Sequence, residues 1–129
     1  MGVNLVRRGN GVSLSNFGWL FALSLAERYD WSPIGAKVQR CNCDPPAEGP
    51  MFCLRCDEWE RVAYALSDWQ CVEDEDASAF GSALNKALEE PAALERALEA
   101  AGAGGDESGW RQRLTELAVL AKGGAFLIA

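Results

Sequence analysis

Histidine is missing altogether from the 129 residues. Its absence excludes Ser-His-Asp and Cys-His catalysis, His-ligated zinc or haem, and any histidine pH switch. No apolar run approaches the ~20 residues that a membrane-spanning helix requires, so no membrane partner is expected. Gly9-Asn10-Gly11 lacks the third glycine and the following acid of a dinucleotide fingerprint. No phosphate-binding loop and no internal repeat is present.

Cations are scarce where acids are dense. Residues 1–40 hold Arg7, Arg8, Arg28, Lys37 and Arg40 against Glu27 and Asp30. Residues 41–76 hold only Arg55 and Arg61 against ten acids, within a formal net charge of −7 for the whole chain. That acidic stretch repels a phosphate backbone, so nucleic acid is disfavoured as its ligand, and it reads as a solubilising or protein-contacting face. Arg7 and Arg8 ahead of residues 17–26 imitate a signal peptide. Ser24, Glu27 and Arg28 give that stretch a polar helical face instead, and a cytoplasmic protein is expected.

The hydrophobic fraction of 49% suits one packed core. Val12 and Leu14 alternate with Ser13 and Ser15 after the Gly9-Asn10-Gly11 turn, which predicts a strand. Asn16 is placed to cap a helix over 17–29 that buries Phe17, Leu20, Phe21, Leu25 and Tyr29, with Ser32-Pro33 stopping it. Residues 59–73 read either as a helix or as a hairpin of 62–66 and 70–72 around Ser67-Asp68, and the hairpin is favoured. Asp74 or Asp76 would cap a helix over 75–89 burying Phe80, Leu84 and Leu88. Pro91 opens a helix over 91–101 with Leu94, Leu98 and Ala101 inward and Gly102 as its stop. After a joint at Gly102-Ala103-Gly104-Gly105, residues 108–122 bury Trp110, Leu114, Leu117 and Ala121, and Ala125-Phe126-Leu127-Ile128 suits a buried strand. The expected fold is α+β, a small mostly antiparallel sheet packed with three or four helices. One domain spans 1–129, with 37–58 inserted as a four-cysteine loop.

That loop has no hydrophobic periodicity and needs an organiser. Cys41-Asn42-Cys43 and Cys53-Leu54-Arg55-Cys56 supply one. In extended chain, Cys41 and Cys43 point to one side, and the Cys-x-x-Cys turn offers two more sulfurs for tetrahedral zinc. The proline-rich connection lowers the entropy lost on closure. With all four positions filled by protein, the zinc is structural. Iron–sulfur ligation is rarer at these spacings. A redox role for Cys53 and Cys56 is disfavoured by Asp57, Glu58 and Glu60, which oppose a thiolate. Cys71 reads as a small buried hydrophobe.

The run Glu73-Asp74-Glu75-Asp76 reads as capping and helix-dipole chemistry rather than a catalytic carboxylate pair. Trp19 and Trp110 fit core stripes, whereas Trp31 and Trp69 fall in turns as candidate exposed anchors. Trp69, Asp74 and Glu75 are the candidate partner contacts.

Met1-Gly2, Trp19, Trp31-Ser32-Pro33, Tyr64, Ser67-Asp68, Val72, Asp76-Ala77, Trp110 and Gly123-Gly124 with Phe126 carry a resemblance. In this order they resemble a family of small uncharacterised bacterial proteins. Asp30 and Trp69 stand where that family usually has glycine. The resemblance implies the hairpin and the final strand, and no activity. The expected function is therefore a non-enzymatic acidic interaction module with structural zinc, binding a protein partner of inhibitor, immunity, antitoxin or accessory type. The alternatives are a thiol redox protein acting through Cys53/Cys56 and a zinc-dependent nucleic-acid binder using Lys37, Arg40 and Arg55.

Overall fold

The computed structural model describes residues 2–39, 43, 59–64, 70–102 and 106–129. Cys41, Cys53, Cys56, Trp69 and the Ser67-Asp68 turn lie outside the described residues, as do residues 103–105 of the expected glycine joint.

The chain opens with a strand that the sequence reading did not assign, β1 (Gly2–Arg7), paired antiparallel with β2 (Asn10–Ser15). Arg7 faces Asn10, so Arg8 (φ 46°) and Gly9 (φ 82°) form the two-residue turn. Two positive φ values in succession define the turn whose twist matches the flanking strands. The turn therefore sits one position before the expected Gly9-Asn10-Gly11. Val3, Leu5, Val12 and Leu14 all point to the same buried face.

Helix α1 (Asn16–Glu27) follows at once, capped by Ser15 rather than Asn16, the Ser15 hydroxyl accepting from Gly18 N at 3.0 Å. It ends at Glu27 because Asp30 turns left-handed (φ 69°) and the Trp31 N–H reaches back to Ala26 O at 3.3 Å. Its buried face carries Trp19, Ala22 and Ala26 beside Phe21 and Leu25. Phe17 and Leu20, expected inward, stand 47% and 50% exposed. Trp19 is larger than either, and docking it between Phe80 and Phe126 (centroids 5.8 and 6.4 Å) turns the helix accordingly.

A two-stranded antiparallel ribbon comes next, β3 (Ala36–Gln39) and β4 (Trp59–Val62). Then β5 (Gln70–Val72) leads into α2 (Asp74–Leu88), α3 (Pro91–Ala100), α4 (Glu107–Lys122) and β6 (Phe126–Ile128). The expected hairpin of 62–66 with 70–72 is corrected: β4 pairs with β3, whereas β5 pairs with β6. The main sheet has the order β2-β1-β6-β5, antiparallel throughout. The fold is thus α+β, with four described helices, a four-stranded sheet and a separate ribbon.

The helices cover the sheet face formed by Val3, Leu5, Phe126, Ile128 and Val72. Helices α2 and α4 approach so closely at Gly81 that a Cβ there would lie 3.0 Å from Ala118 O. Leu94, Leu98, Leu114 and Leu117 are buried as their spacing predicts, but Ala101 is exposed. Among the described residues, no helix is long and apolar enough to cross a membrane.

Candidate functional site

The ribbon carries the cysteine-rich segment. Its register sets Ala36 opposite Val62, Lys37 opposite Arg61, and Gln39 opposite Trp59. The Lys37 ammonium lies 5.2 Å from the Trp59 ring centroid, a cation–π contact tying the two strands together. Of the four candidate zinc ligands, only Cys43 is among the described residues, and it is half-buried. Among the described residues, no cluster of three or more acids or cysteines is placed to hold a metal ion.

What fixes the ribbon to the domain is Asp76. This carboxylate is 2% exposed and sits in the first turn of α2. Asp76 Oδ1 accepts from Trp31 Nε1 at 3.0 Å. Its Oδ2 accepts from the backbone of Ile34 at 3.1 Å and of Gly35 at 3.3 Å, and from the Tyr64 hydroxyl. A buried carboxylate is tolerated when donors replace its hydration, and four do so here. Ile34 and Gly35 lead directly into β3, and Tyr64 follows β4. One side chain therefore grips both legs of the ribbon.

Neighbouring groups reinforce this grip. Arg61 in β4 donates to Gly35 O at 3.0 Å and pairs with Glu73. Gly35 has φ +96°, and a Cβ there would lie 2.6 Å from Val62 O, so glycine is required where the two legs pass. Burial, and then the bond to Asp76, push the Tyr64 phenol far above its ordinary range, keeping it a donor.

The acidic run is thus corrected in part. No side-chain cap bond is made at Glu73, the N-cap of α2, and Asp76 points into the core rather than capping the helix. Asp74 Oδ1 accepts from Ala125 N at 2.7 Å, fastening the start of β6. Asp74 and Glu75, the expected partner contacts, are exposed and line a cleft of about 540 Å³ together with Ile34, Arg61, Glu73 and Asp76.

Two further expectations are overturned. Trp31 is no exposed anchor: it is buried, stacked on Tyr64 with centroids 6.2 Å apart and tilted against Phe80 at 4.8 Å. Cys71 is not buried, because β5 turns it to the uncovered face of the sheet beside Leu127. Its thiol is raised by partial desolvation and then by Glu73 and Asp74, which makes it a poor nucleophile.

Sequence reasoning missed Asp76 as a structural hub. The signal was present, because Asp76 precedes Phe80 and Leu84 at four-residue spacing and so lies on the buried stripe of α2. Trp31 and Tyr64, each with an apolar body and a single polar hydrogen, are apt partners for a carboxylate so placed.

Compared with protein-family models, curated proteins and solved structures, the chain matches none. Its class is architectural: an α+β domain that holds a two-stranded ribbon by a buried carboxylate.

Proposed function

We propose that the chain is a non-enzymatic interaction module. In this reading Cys41, Cys43, Cys53 and Cys56 hold a structural zinc ion at the far end of the β3–β4 ribbon. The ribbon and the acidic cleft beside it then present a surface to a protein partner.

The observation that carries this reading is the ribbon's register. Gln39 and Trp59 are opposite one another, so the segment with all four cysteines leaves and returns through neighbouring residues. Cys41 lies two residues beyond Gln39, and Cys56 three before Trp59. At roughly 3.5 Å of reach per residue, neither ligand pair starts far from the other. Pairing of β3 with β4 has already met much of the loop-closure entropy that zinc binding would otherwise oppose. A Cys-x-Cys pair on one arm and a Cys-x-x-Cys pair on the other can fill a tetrahedral shell and leave no open coordination position. The partner surface is argued from charge: Asp74 and Glu75 stand exposed on the cleft, in the stretch where ten acids face two cations. A basic protein surface of inhibitor-target or accessory type complements it.

Metal content and thiol reactivity on protein purified under reducing, zinc-replete conditions test the metal reading. One zinc per chain is expected, with four thiols that react only after chelation. Metal-free protein with every thiol immediately reactive overturns it, and a chelator-insensitive disulfide cycling between Cys53 and Cys56 supports the redox alternative instead. For the partner reading, a purified basic partner should lose affinity for the Glu75→Lys variant and not for Glu99→Lys.

A further inference from the structure

The side of the domain formed by α1 and α3 carries a cleft that shares no lining residue with the acidic one. Two adjoining hollows, of about 330 and 380 Å³, have Leu25, Arg28, Ala97 and Ala100 in common and so form one groove. One end is walled by Phe17 and Leu20 with Ala100 and Ala101, the other by Arg28 and Tyr29 with Ala93 and Arg96. The start of α1 thus faces the end of α3, and the Tyr29 hydroxyl donating to Glu90 at 3.1 Å fixes that sense at the other end. The groove follows α1 from Phe17 to Arg28, about 17 Å at 1.5 Å per residue, or three helical turns.

The floor is apolar and smooth, because α3 contributes only alanines along it. Its rim carries two arginines at one end, beside the Glu90 carboxylate that accepts from Tyr29. Among the described residues, neither Arg28 nor Arg96 has a carboxylate within ion-pair distance. Phe17 and Leu20 are about half exposed, at 47% and 50%, in a chain whose other α1 aromatics are buried. Phe17 and Leu20 line one hollow together, giving an apolar strip beside the arginines on an otherwise acidic protein.

We infer that the α1–α3 groove docks an amphipathic α-helix of a partner protein, with the helix's carboxylates set over Arg28 and Arg96. A groove three helical turns long, lined by two helices and floored by alanines, suits helix-in-groove recognition. A peptide strand has no sheet edge to join here. A small amphiphile would be enclosed over most of its surface in a true pocket, whereas these walls leave Phe17 and Leu20 half open. Among the described residues a second copy has only α1 to lend, with its exposed Phe17 and Leu20, because α2, α3 and α4 keep their leucine stripes in the core; self-association is therefore an outcome that the test reads. The inference does not depend on zinc, and its test leaves the cysteines untouched.

The test is a display selection of helical peptides about 15 residues long, with leucine at i, i+3, i+4 and i+7 and randomised flanks. Selection on the wild-type domain should enrich Asp and Glu at one end of the peptide. Arg28→Glu/Arg96→Glu should weaken those peptides by about tenfold or more and favour Lys and Arg in a repeat selection. Leu20→Asp should abolish binding while leaving the melting temperature unchanged, because Leu20 is half exposed. Arg96→Glu alone, away from the end of α1, guards against a folding defect in the double variant. Selection without binders, or binders indifferent to the arginine reversals, overturns the inference. So does self-association of the wild type that Leu20→Asp removes, or binding of dodecanoate in place of any peptide.

Discussion

The rings of Trp31 and Tyr64 lie 4° from parallel with centroids 6.2 Å apart, and each donates its polar hydrogen to a different oxygen of Asp76. The two aromatic residues belong to the two legs of the ribbon. They are far apart in sequence and meet only because the carboxylate of α2 lies between those legs.

Asp76→Ala should therefore be among the most destabilising single substitutions in the domain. It leaves an indole N–H, a phenol and two backbone N–H groups without an acceptor in a buried site. Removing one partner from such a network costs about 3–5 kcal/mol. Urea unfolding should register a loss of that order, and amide exchange at Ile34 and Gly35 should accelerate first. A loss under about 0.5 kcal/mol would mean the carboxylate is not the clamp.

Tyr64 should make stability fall in alkali. Its folded-state pKa is raised, so the native state holds the phenolic proton more tightly than the unfolded chain does. That contribution is complete below the ordinary tyrosine pKa of about 10 and declines as pH climbs beyond it. Tyr64→Phe should cost about 1 kcal/mol at neutral pH and flatten the alkaline slope. Denaturant midpoints for both proteins between pH 8 and pH 11 measure the difference, and parallel curves would refute it.

Gly35→Ala should strain the ribbon's base. A methyl group would meet Val62 O at 2.6 Å, in a backbone conformation with φ +96°. A cost of about 2 kcal/mol or more is expected, with loss of the Ala36–Val62 pairing visible by amide exchange. Gly102→Ala, also at positive φ (+75°) but in open space, should cost less, and it serves as the control.

On the proposed four-cysteine zinc site, a chelator should destabilise the wild type and leave Cys53→Ser unchanged. A metal that binds only the folded state stabilises it by about 4 kcal/mol at a thousandfold excess over the dissociation constant. Melting temperatures with and without chelator give the result, and equal shifts in both proteins would count against a four-cysteine site.

The parts of the fold legible in the sequence are those governed by local periodicity. Helices α2, α3 and α4 begin and end within a residue or two of where Phe80/Leu84, Leu94/Leu98 and Leu114/Leu117 place them. Strand β6 was readable as a short apolar run. Pairing was not legible, because β4 has equally plausible local partners and chooses β3 through Asp76 and Gly35, a long-range arrangement that no spacing encodes. The facing of α1 was misread because Phe17 and Leu20 fit a helical stripe as well as Trp19 does, and only the docking between Phe80 and Phe126 decides. As for the site, the four cysteines are plain in the sequence. The acid that carries their ribbon was hidden within a charged run, where Asp76 differs from Asp74 and Glu75 only in the face of the helix it occupies.

Strand β6 lies between β1 and β5, so the first hairpin and the segment ahead of α2 have no hydrogen-bonded link until the final described strand arrives. During synthesis the ribosome must deliver everything through Ile128 before the sheet can assemble. Among the described strands β5 pairs only with β6, so the arrival of β6 is the step that joins Val72 to the first hairpin and completes the sheet.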